Sequence, residues 1–168
     1  MHYSTIYKSP IGAITLGSDG ENLFGLWNEE QKYHGNSMFT SMSPKDDLPI
    51  FNQTKKWLDK YFAGKNPKIS ELPLKPIGTD FRQKVWKVLC EIPYGEVVTY
   101  GSIASKLSTD GSNAQKYSRA VGGAVGHNPI SIIIPCHRVI GSDGKLTGYA
   151  GGLDKKVFLL ELEGVKLP

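Results

Sequence analysis

IIIPCHRVIG, residues 132–141, is the stretch on which the reading of this chain turns. Three isoleucines and a proline run straight into Cys136, His137 and Arg138, and Val139 and Ile140 follow. A structural cysteine needs only apolar neighbours. This one has a base and a fixed cation beside it. A thiol is a useful nucleophile only as thiolate, which requires a base or positive surroundings. Read as extended chain, the stretch points Cys136 and His137 to opposite sides. Contact between thiol and imidazole then needs a kink at Pro135 or a bridging water. Cysteine hydrolases draw their base from far along the chain, so adjacency counts against that class.

Downstream, GYAGGLDKKVFLLELEGVKLP closes the sequence. Asp154 is placed to cap a helix over 155–163 and Gly164 to end it. Glu161 and Glu163 fall in the last turn, where a carboxylate opposes the helix dipole. The plain reading is a solvated glutamate; the alternative is an acid with a cationic or imidazole partner.

Upstream lie three helical patterns. TDFRQKVWKVLCEIP (79–93) repeats Phe81, Val85, Val88, Leu89 and Ile92 at helical spacing. Thr79 or Asp80 can cap it and Pro93 stops it. Cys90, among apolar neighbours, reads as a small buried hydrophobe. TYGSIASKL (99–107) puts Ile103, Ala104 and Leu107 on one side. After the polar turn STDGSN, AQKYSRAVGGAVG (114–126) does the same with Tyr117, Ala120, Val121, Ala124 and Val125. Helix, turn, helix is a candidate DNA-binding unit, although on pattern alone two short helices more often simply pack. Gly122 and Gly123 sharpen the choice. Each costs roughly 1 kcal/mol relative to alanine inside a helix. They imply close approach, either to a neighbouring element or to a nucleic-acid backbone, and Arg119 projects from the same segment.

The other half reads differently. Residues 2–27 read as strands: YSTIYKSP, IGAITLG, then SDGEN as a hairpin turn into LFGLW. Residues 34–49 are polar and read as a loop, and 50–63 as a helix with Ile50, Trp57, Leu58, Tyr61 and Phe62 on one side. KNPKISELPLKPIG (65–78), with three prolines, has a linker composition and places a domain boundary near residue 77.

At 168 residues, 39% hydrophobic and 21% charged, the chain is ordinary for one domain or two small ones. It contains no apolar run long enough to span a bilayer, and MHYSTIYKSP has no signal pattern. A cytoplasmic protein is expected, or a nuclear one in a eukaryote. Two cysteines are too few for a disulfide scaffold, and His2, His34, His127 and His137 are too scattered for a zinc site, so no metal is expected. The net charge of +4 is unevenly placed. Residues 1–77 carry nine Lys and Arg against eight Asp and Glu; residues 78–168 carry eleven against eight, including all three arginines. A nucleic-acid surface is therefore sought in the second half.

The blocks NPISIIIPCHRVIGSDGKLTGYAGGLDKK, IPYGEVVTYGSIA and SRAVGGAVGHNP, in this order and spacing, resemble the O6-alkylguanine-DNA alkyltransferases (methylated-DNA–protein-cysteine methyltransferases), whose signature is a PCHRV core. They cover most of 79–164; the first 77 residues resemble the family only loosely. The resemblance implies an α+β fold. A small N-terminal ribonuclease-H-like sheet domain (1–77) would precede a mostly helical, winged-helix-like DNA-binding domain (78–168) with a helix-turn-helix. It implies that Cys136 takes the alkyl group from O6 of guanine in double-stranded DNA, possession of O4-alkylthymine activity being left open. It further implies that His137 takes the thiol proton through a water, that Glu163 orients His137, that Asn128 braces the active-site turn and that Tyr100 assists nucleotide rotation. Arg119 is the implied finger in the base stack, with Ala120, Gly122, Gly123 and Ala124 allowing close approach to the minor groove. The pocket would include Tyr100, Ser131, the carbonyls of Cys136 and Val139, Tyr149 and Ala150, which stands where many relatives have serine. No cofactor is implied. A monomer is expected, and cooperativity on DNA stays open. Rival readings are a non-catalytic lesion binder, opposed by Cys136 itself, a cysteine hydrolase, and a plain winged-helix regulator.

Overall fold

The structure, a computed structural model, describes residues 1–29, 41–108, 114–149 and 151–167. They form two compact units, Met1–Ile77 with Pro129–Ile133, and Gly78–Asn128 with Ile134–Pro168.

The first unit is built on a four-stranded sheet. Strands β1 (Tyr3–Ser9), β2 (Gly12–Ser18) and β3 (Leu23–Asn28) form an antiparallel meander, and the short β4 (Ser43–Pro44) pairs parallel with β1, giving the order β3-β2-β1-β4. The turn before β3 is held by Asp19, whose carboxylate accepts from the N–H groups of Glu21 and Asn22 at 2.9 and 2.8 Å. Helix α1 (Pro49–Phe62) buries Ile50, Phe51, Thr54, Trp57, Leu58 and Tyr61. The expected helix face is thus present, except that Phe62 is only half-buried and stacks on Tyr7. Of the loop expected at 34–49, residues 34–40 lie outside the described residues.

β3 is an edge strand, yet all six of its residues are buried. An exposed edge leaves a row of unpaired backbone groups. Two separate pieces of chain cover this one. Leu23 donates to Pro73 at 2.9 Å and accepts from Lys75 at 2.8 Å, and Leu26 donates to Pro129 at 2.8 Å and accepts from Ser131 at 3.2 Å. Both pairings are parallel bridges, Leu23 with Leu74 and Leu26 with Ile130. The stretch 65–78 is therefore not the uncommitted linker its composition suggests. Residues 129–133, assigned by sequence to the second part, pack in the first unit.

The second unit is mostly helical: α2 (Asp80–Cys90), α3 (Tyr100–Leu107), α4 (Ala114–Gly126) and α5 (Leu153–Leu162), with two-residue strands β5 (Val98–Thr99) and β6 (Val139–Ile140) pairing in parallel. Thr79, not Asp80, caps α2, its side chain accepting from the Arg82 N–H. Thr99 and Ser102 form a reciprocal capping box at α3. Trp86, fully buried on α2, donates its indole N–H to the Ala124 carbonyl of α4 at 2.8 Å and so locks two helices together. Residues 109–113, the turn of the expected helix-turn-helix, lie outside the described residues. Gly152, not Asp154, occupies the cap position of α5, and Asp154 lies in its first turn.

The isoleucine run is not extended. Ile132 has φ +72°, uncommon for a β-branched residue, and tight turns close from the Ile133 N–H to Ser131 and from the Cys136 N–H to Ile134, both at 2.8 Å. Cys136–Arg138 then form a single 3-10 turn, with the Arg138 N–H on the Pro135 carbonyl at 3.0 Å. Only Val139 and Ile140 are strand, paired with Val98 and Thr99. The kink at Pro135 that the sequence offered as one alternative is thus present.

Candidate active site

Cys136 lies at the start of this turn, 5% exposed. Burial pushes its thiol up, while hydrogen bonding by Asn128 and the positive charge of Lys156 pull it down. Asn128 is itself buried and donates its side-chain amide to the Ile134 carbonyl at 2.8 Å, bracing the turn from the end of α4. His127, beside it, hydrogen-bonds through Nδ1 to the Gly123 carbonyl at 2.7 Å and finishes the helix.

His137 is fully buried, and its Nε2 lies 2.5 Å from Glu163 Oε2. The other carboxylate oxygen accepts from Arg138 Nε at 2.7 Å and from the Gly95 N–H at 3.1 Å. An acid holding two such donors is ionised, so Nε2 of the imidazole is the N–H donor. Burial holds the His137 imidazole below its ordinary pKa, opposed by the Glu163 hydrogen bond and charge. Arg138 also donates Nη1 to the Ile92 carbonyl at 2.7 Å and its guanidinium lies over the Tyr94 ring. The glutamate that sequence placed against the helix dipole has both an imidazole and a cation as partners.

Tyr100, the first residue of α3, is half-buried and donates its hydroxyl to the Thr147 carbonyl at 3.3 Å. Burial raises its pKa. Val139 is fully buried and its carbonyl accepts from Lys156 Nζ at 2.7 Å. Tyr149 is half-buried and its carbonyl accepts from the Gly152 N–H at 2.9 Å. Ser131, expected in the pocket, belongs to the segment packed in the first unit, buried against β3. Ala150 lies outside the described residues. Cys90 is only partly buried, and burial pushes its thiol up to about 11. Among the described residues no group of three or more His, Cys, Asp or Glu could hold a metal ion, and no helix is long and apolar enough to cross a membrane.

On α4, Arg119, Ala120 and Gly123 are exposed, Gly122 is half-buried, and Val121, Ala124 and Val125 face inward. Ala124, which the helical pattern put on the apolar side and the resemblance at the minor groove, is 2% exposed, and its carbonyl accepts from the Trp86 indole. A Cβ built on Gly122 or Gly123 would meet nothing within 4 Å among the described residues. Packing against the described residues therefore does not account for either glycine.

Two members of the site were missed. Arg138 was noted in the triplet but given no partner. Lys156, quoted within GGLDKK, was given no role because a lysine reads as exposed by default. Its position was a usable signal: 156, 159, 160 and 163 recur at helical spacing, and all four are buried.

Two family descriptions match: 6-O-methylguanine DNA methyltransferase, ribonuclease-like domain, over residues 1–76, and 6-O-methylguanine DNA methyltransferase, DNA binding domain, over residues 80–165. A methylated-DNA–protein-cysteine methyltransferase of Haemophilus influenzae is 46% identical over 163 residues, covering 97% of this chain and 87% of its own length. The crystal structure of the Mycobacterium tuberculosis O6-methylguanine methyltransferase superposes with a TM-score of 0.83 at 45% identity, covering 97% of this chain and 93% of that one. The same organism's protein in complex with DNA gives 0.80 at 45% identity, covering 96% and 91%. The chain belongs to the 6-O-methylguanine DNA methyltransferase family.

Proposed function

We propose that Cys136 is the residue that accepts the alkyl group, from O6 of guanine in double-stranded DNA, once per protein molecule. Membership of the family makes the chain a DNA-repair protein that moves an alkyl group from DNA to one of its own cysteines. The observation that carries the assignment to Cys136 is its place in the turn that also presents His137 to the ionised Glu163. The other cysteine, Cys90, has no such neighbours and a thiol pushed up to about 11.

In the proposed reaction the lesion leaves the base stack, because O6 is inaccessible within the duplex. Sγ of Cys136 attacks the alkyl carbon, the S–C bond forms, the C–O6 bond breaks, and its electron pair stays on the guanine. The thiol proton passes to His137 through a bridging water. With Nε2 engaged by Glu163, Nδ1 is the nitrogen that would take it. Asn128 holds the turn, Tyr100 and the carbonyls of Cys136 and Val139 contact the flipped guanine, and Tyr149 walls the pocket. The thioether is stable, so no step regenerates the thiol and no cofactor enters. We assign DNA contact to Arg119, Ala120, Gly122 and Gly123, the outward side of α4. Open space beyond both glycines supports it. Ala124 supports α4 from inside instead. One chain carries all these groups, which supports action as a monomer, and a reducing compartment such as the cytoplasm would keep the thiol available.

The test is the intact mass after incubation with a duplex carrying one O6-methylguanine, with Cys136→Ser alongside. One added methyl, mapped to Cys136 and missing from the variant and from undamaged duplex, is the expected result. Tight lesion binding without a mass change would make the chain a lesion sensor and remove the roles given to Cys136, His137 and Glu163.

A further inference from the structure

Glu163 is the cap residue of α5, just past the end of the helix, and its carboxylate reaches the His137 imidazole from there. A glutamate side chain has many rotamers, so its place at a helix end does not by itself aim it. Two of its donors, His137 and Arg138, belong to the turn at 136–138 that the acid serves. A third, the Gly95 N–H, comes from elsewhere in the unit, the turn at 93–96 between α2 and β5. This donor is a backbone group. It has no rotamer to choose and no side-chain proton to lose, so it gives the carboxylate a fixed reference.

The turn is shaped for this approach. The Glu96 N–H closes it on the Pro93 carbonyl at 3.1 Å, and Gly95 has φ +81°, as the third residue of a type II turn requires. A Cβ on Gly95 would stand 3.0 Å from the backbone carbonyl oxygen of Glu163, an atom that no side-chain rotation moves. Tyr94 ties the same turn to the same cluster. Its hydroxyl donates to the Leu162 carbonyl at 3.4 Å, and its ring centroid lies 5.7 Å from the Arg138 guanidinium. A glycine needed for its backbone angle alone looks different. Gly64, after α1, has φ +83°, and a Cβ there would meet nothing within 4 Å among the described residues.

We propose that Gly95 is a positioning residue for alkyl transfer: its N–H fixes the Glu163 carboxylate in the orientation that keeps the His137 proton on Nε2 and leaves Nδ1 to receive the thiol proton. This rests on the reading of Cys136 as the alkyl acceptor. The charged groups that bear on the imidazole are Glu163 and Lys156 from α5 and Arg138 from its own turn. The Cys136 thiol precedes it in the chain, and Tyr94 lies against Arg138. Of these, a side chain at position 95 displaces Glu163 first. Burial, the larger influence on His137, then holds the imidazole still further below its ordinary range, because the Glu163 hydrogen bond and charge that oppose it are weakened.

Wild-type protein is first shown to take up methyl from the O6-methylguanine duplex. Failure there refutes the function, and the role of Gly95 is still read by resonance, without DNA. In 15N-labelled protein the His137 Nε2–H should resonate far downfield, as a proton held by a carboxylate does. In Gly95→Ala it should move upfield or be lost to exchange with water. Gly64→Ala carries the same backbone strain into open space and should leave it unmoved. The single-turnover rate of methyl transfer should fall roughly tenfold or more in Gly95→Ala, the scale of a misplaced reacting group. The acid limb of its pH profile should move to lower pH, because transfer needs Nδ1 unprotonated and His137 now takes up a proton later. A loss of folded protein alone would lower the rate equally at every pH. An unmoved resonance, an unmoved acid limb, or an equal loss in Gly64→Ala overturns the proposal. Gly95→Asn, a residue that tolerates positive φ, is the second variant and should behave as Gly95→Ala. If neither variant folds, the wild-type Gly95 amide decides. Slow hydrogen exchange is expected, and exchange at the rate of an open peptide overturns the proposal.

Discussion

Replacing Glu163 by glutamine removes one charge and changes almost no volume, so its effect can be worked from the geometry alone. Three donors converge on the carboxylate: His137 Nε2 on one oxygen, Arg138 Nε and the Gly95 N–H on the other. Glutamine has one oxygen and one NH2. With its NH2 toward His137, the imidazole must shift its proton to Nδ1 and can no longer accept one there. With its NH2 toward Arg138, a guanidinium whose side chain is 8% exposed loses its partner. Breaking a buried pair in this way costs about 3–5 kcal/mol. With a urea dependence of about 2 kcal/mol per molar, the midpoint should fall by about 1.5–2.5 M. The single-turnover rate of methyl transfer should fall roughly 100-fold or more at pH 7.5, the scale of a lost general base. Urea unfolding and a quenched time course on the same preparation measure both. A midpoint within about 0.5 M of wild type together with a rate within about threefold would refute the network as the means of holding His137.

Further outcomes follow from other parts of the second unit. Gly122→Ala and Gly123→Ala should each stabilise α4, by up to about 1 kcal/mol in thermal melts, because the new methyl meets open space. The same changes should weaken binding to duplex; unchanged affinity would remove α4 from the interface. Asn128→Ala leaves the Ile134 carbonyl without this donor and should cost about 1–3 kcal/mol in chemical unfolding, with a larger relative loss of transfer rate. The folded chain holds the His137 imidazole below its ordinary value of 6.5, so below that pH the unfolded chain binds the extra proton. Stability from this group is present above pH 6.5 and lost as pH falls, so the urea midpoint should drop between pH 7 and 5 and should not rise.

Local pattern determined a good deal by itself. The strands 3–9, 12–18 and 23–28 alternate or run apolar between turn residues, and α1, α2 and α5 bury stripes at helical spacing. The acid at 163, set against its helix dipole, raised a partnered acid as the alternative to a solvated one, and the partnered reading is the one present. These features depend on neighbours within a few residues, and such energetics are written in the chain. Tertiary structure decided what depends on distant residues. The isoleucine run reads as extended, but the Asn128 side chain takes the Ile134 carbonyl, the Ile133 and Cys136 N–H groups close tight turns, and it turns instead. The proline-rich 65–78 reads as free linker, but an uncovered β3 would leave buried N–H and C=O groups unpaired, and residues 73–75 supply partners. Lys156 reads as solvated, but three carbonyls from two remote segments converge on it. Backbone polar groups carry no residue-specific signal, so which ones meet is settled only when the chain has closed on itself.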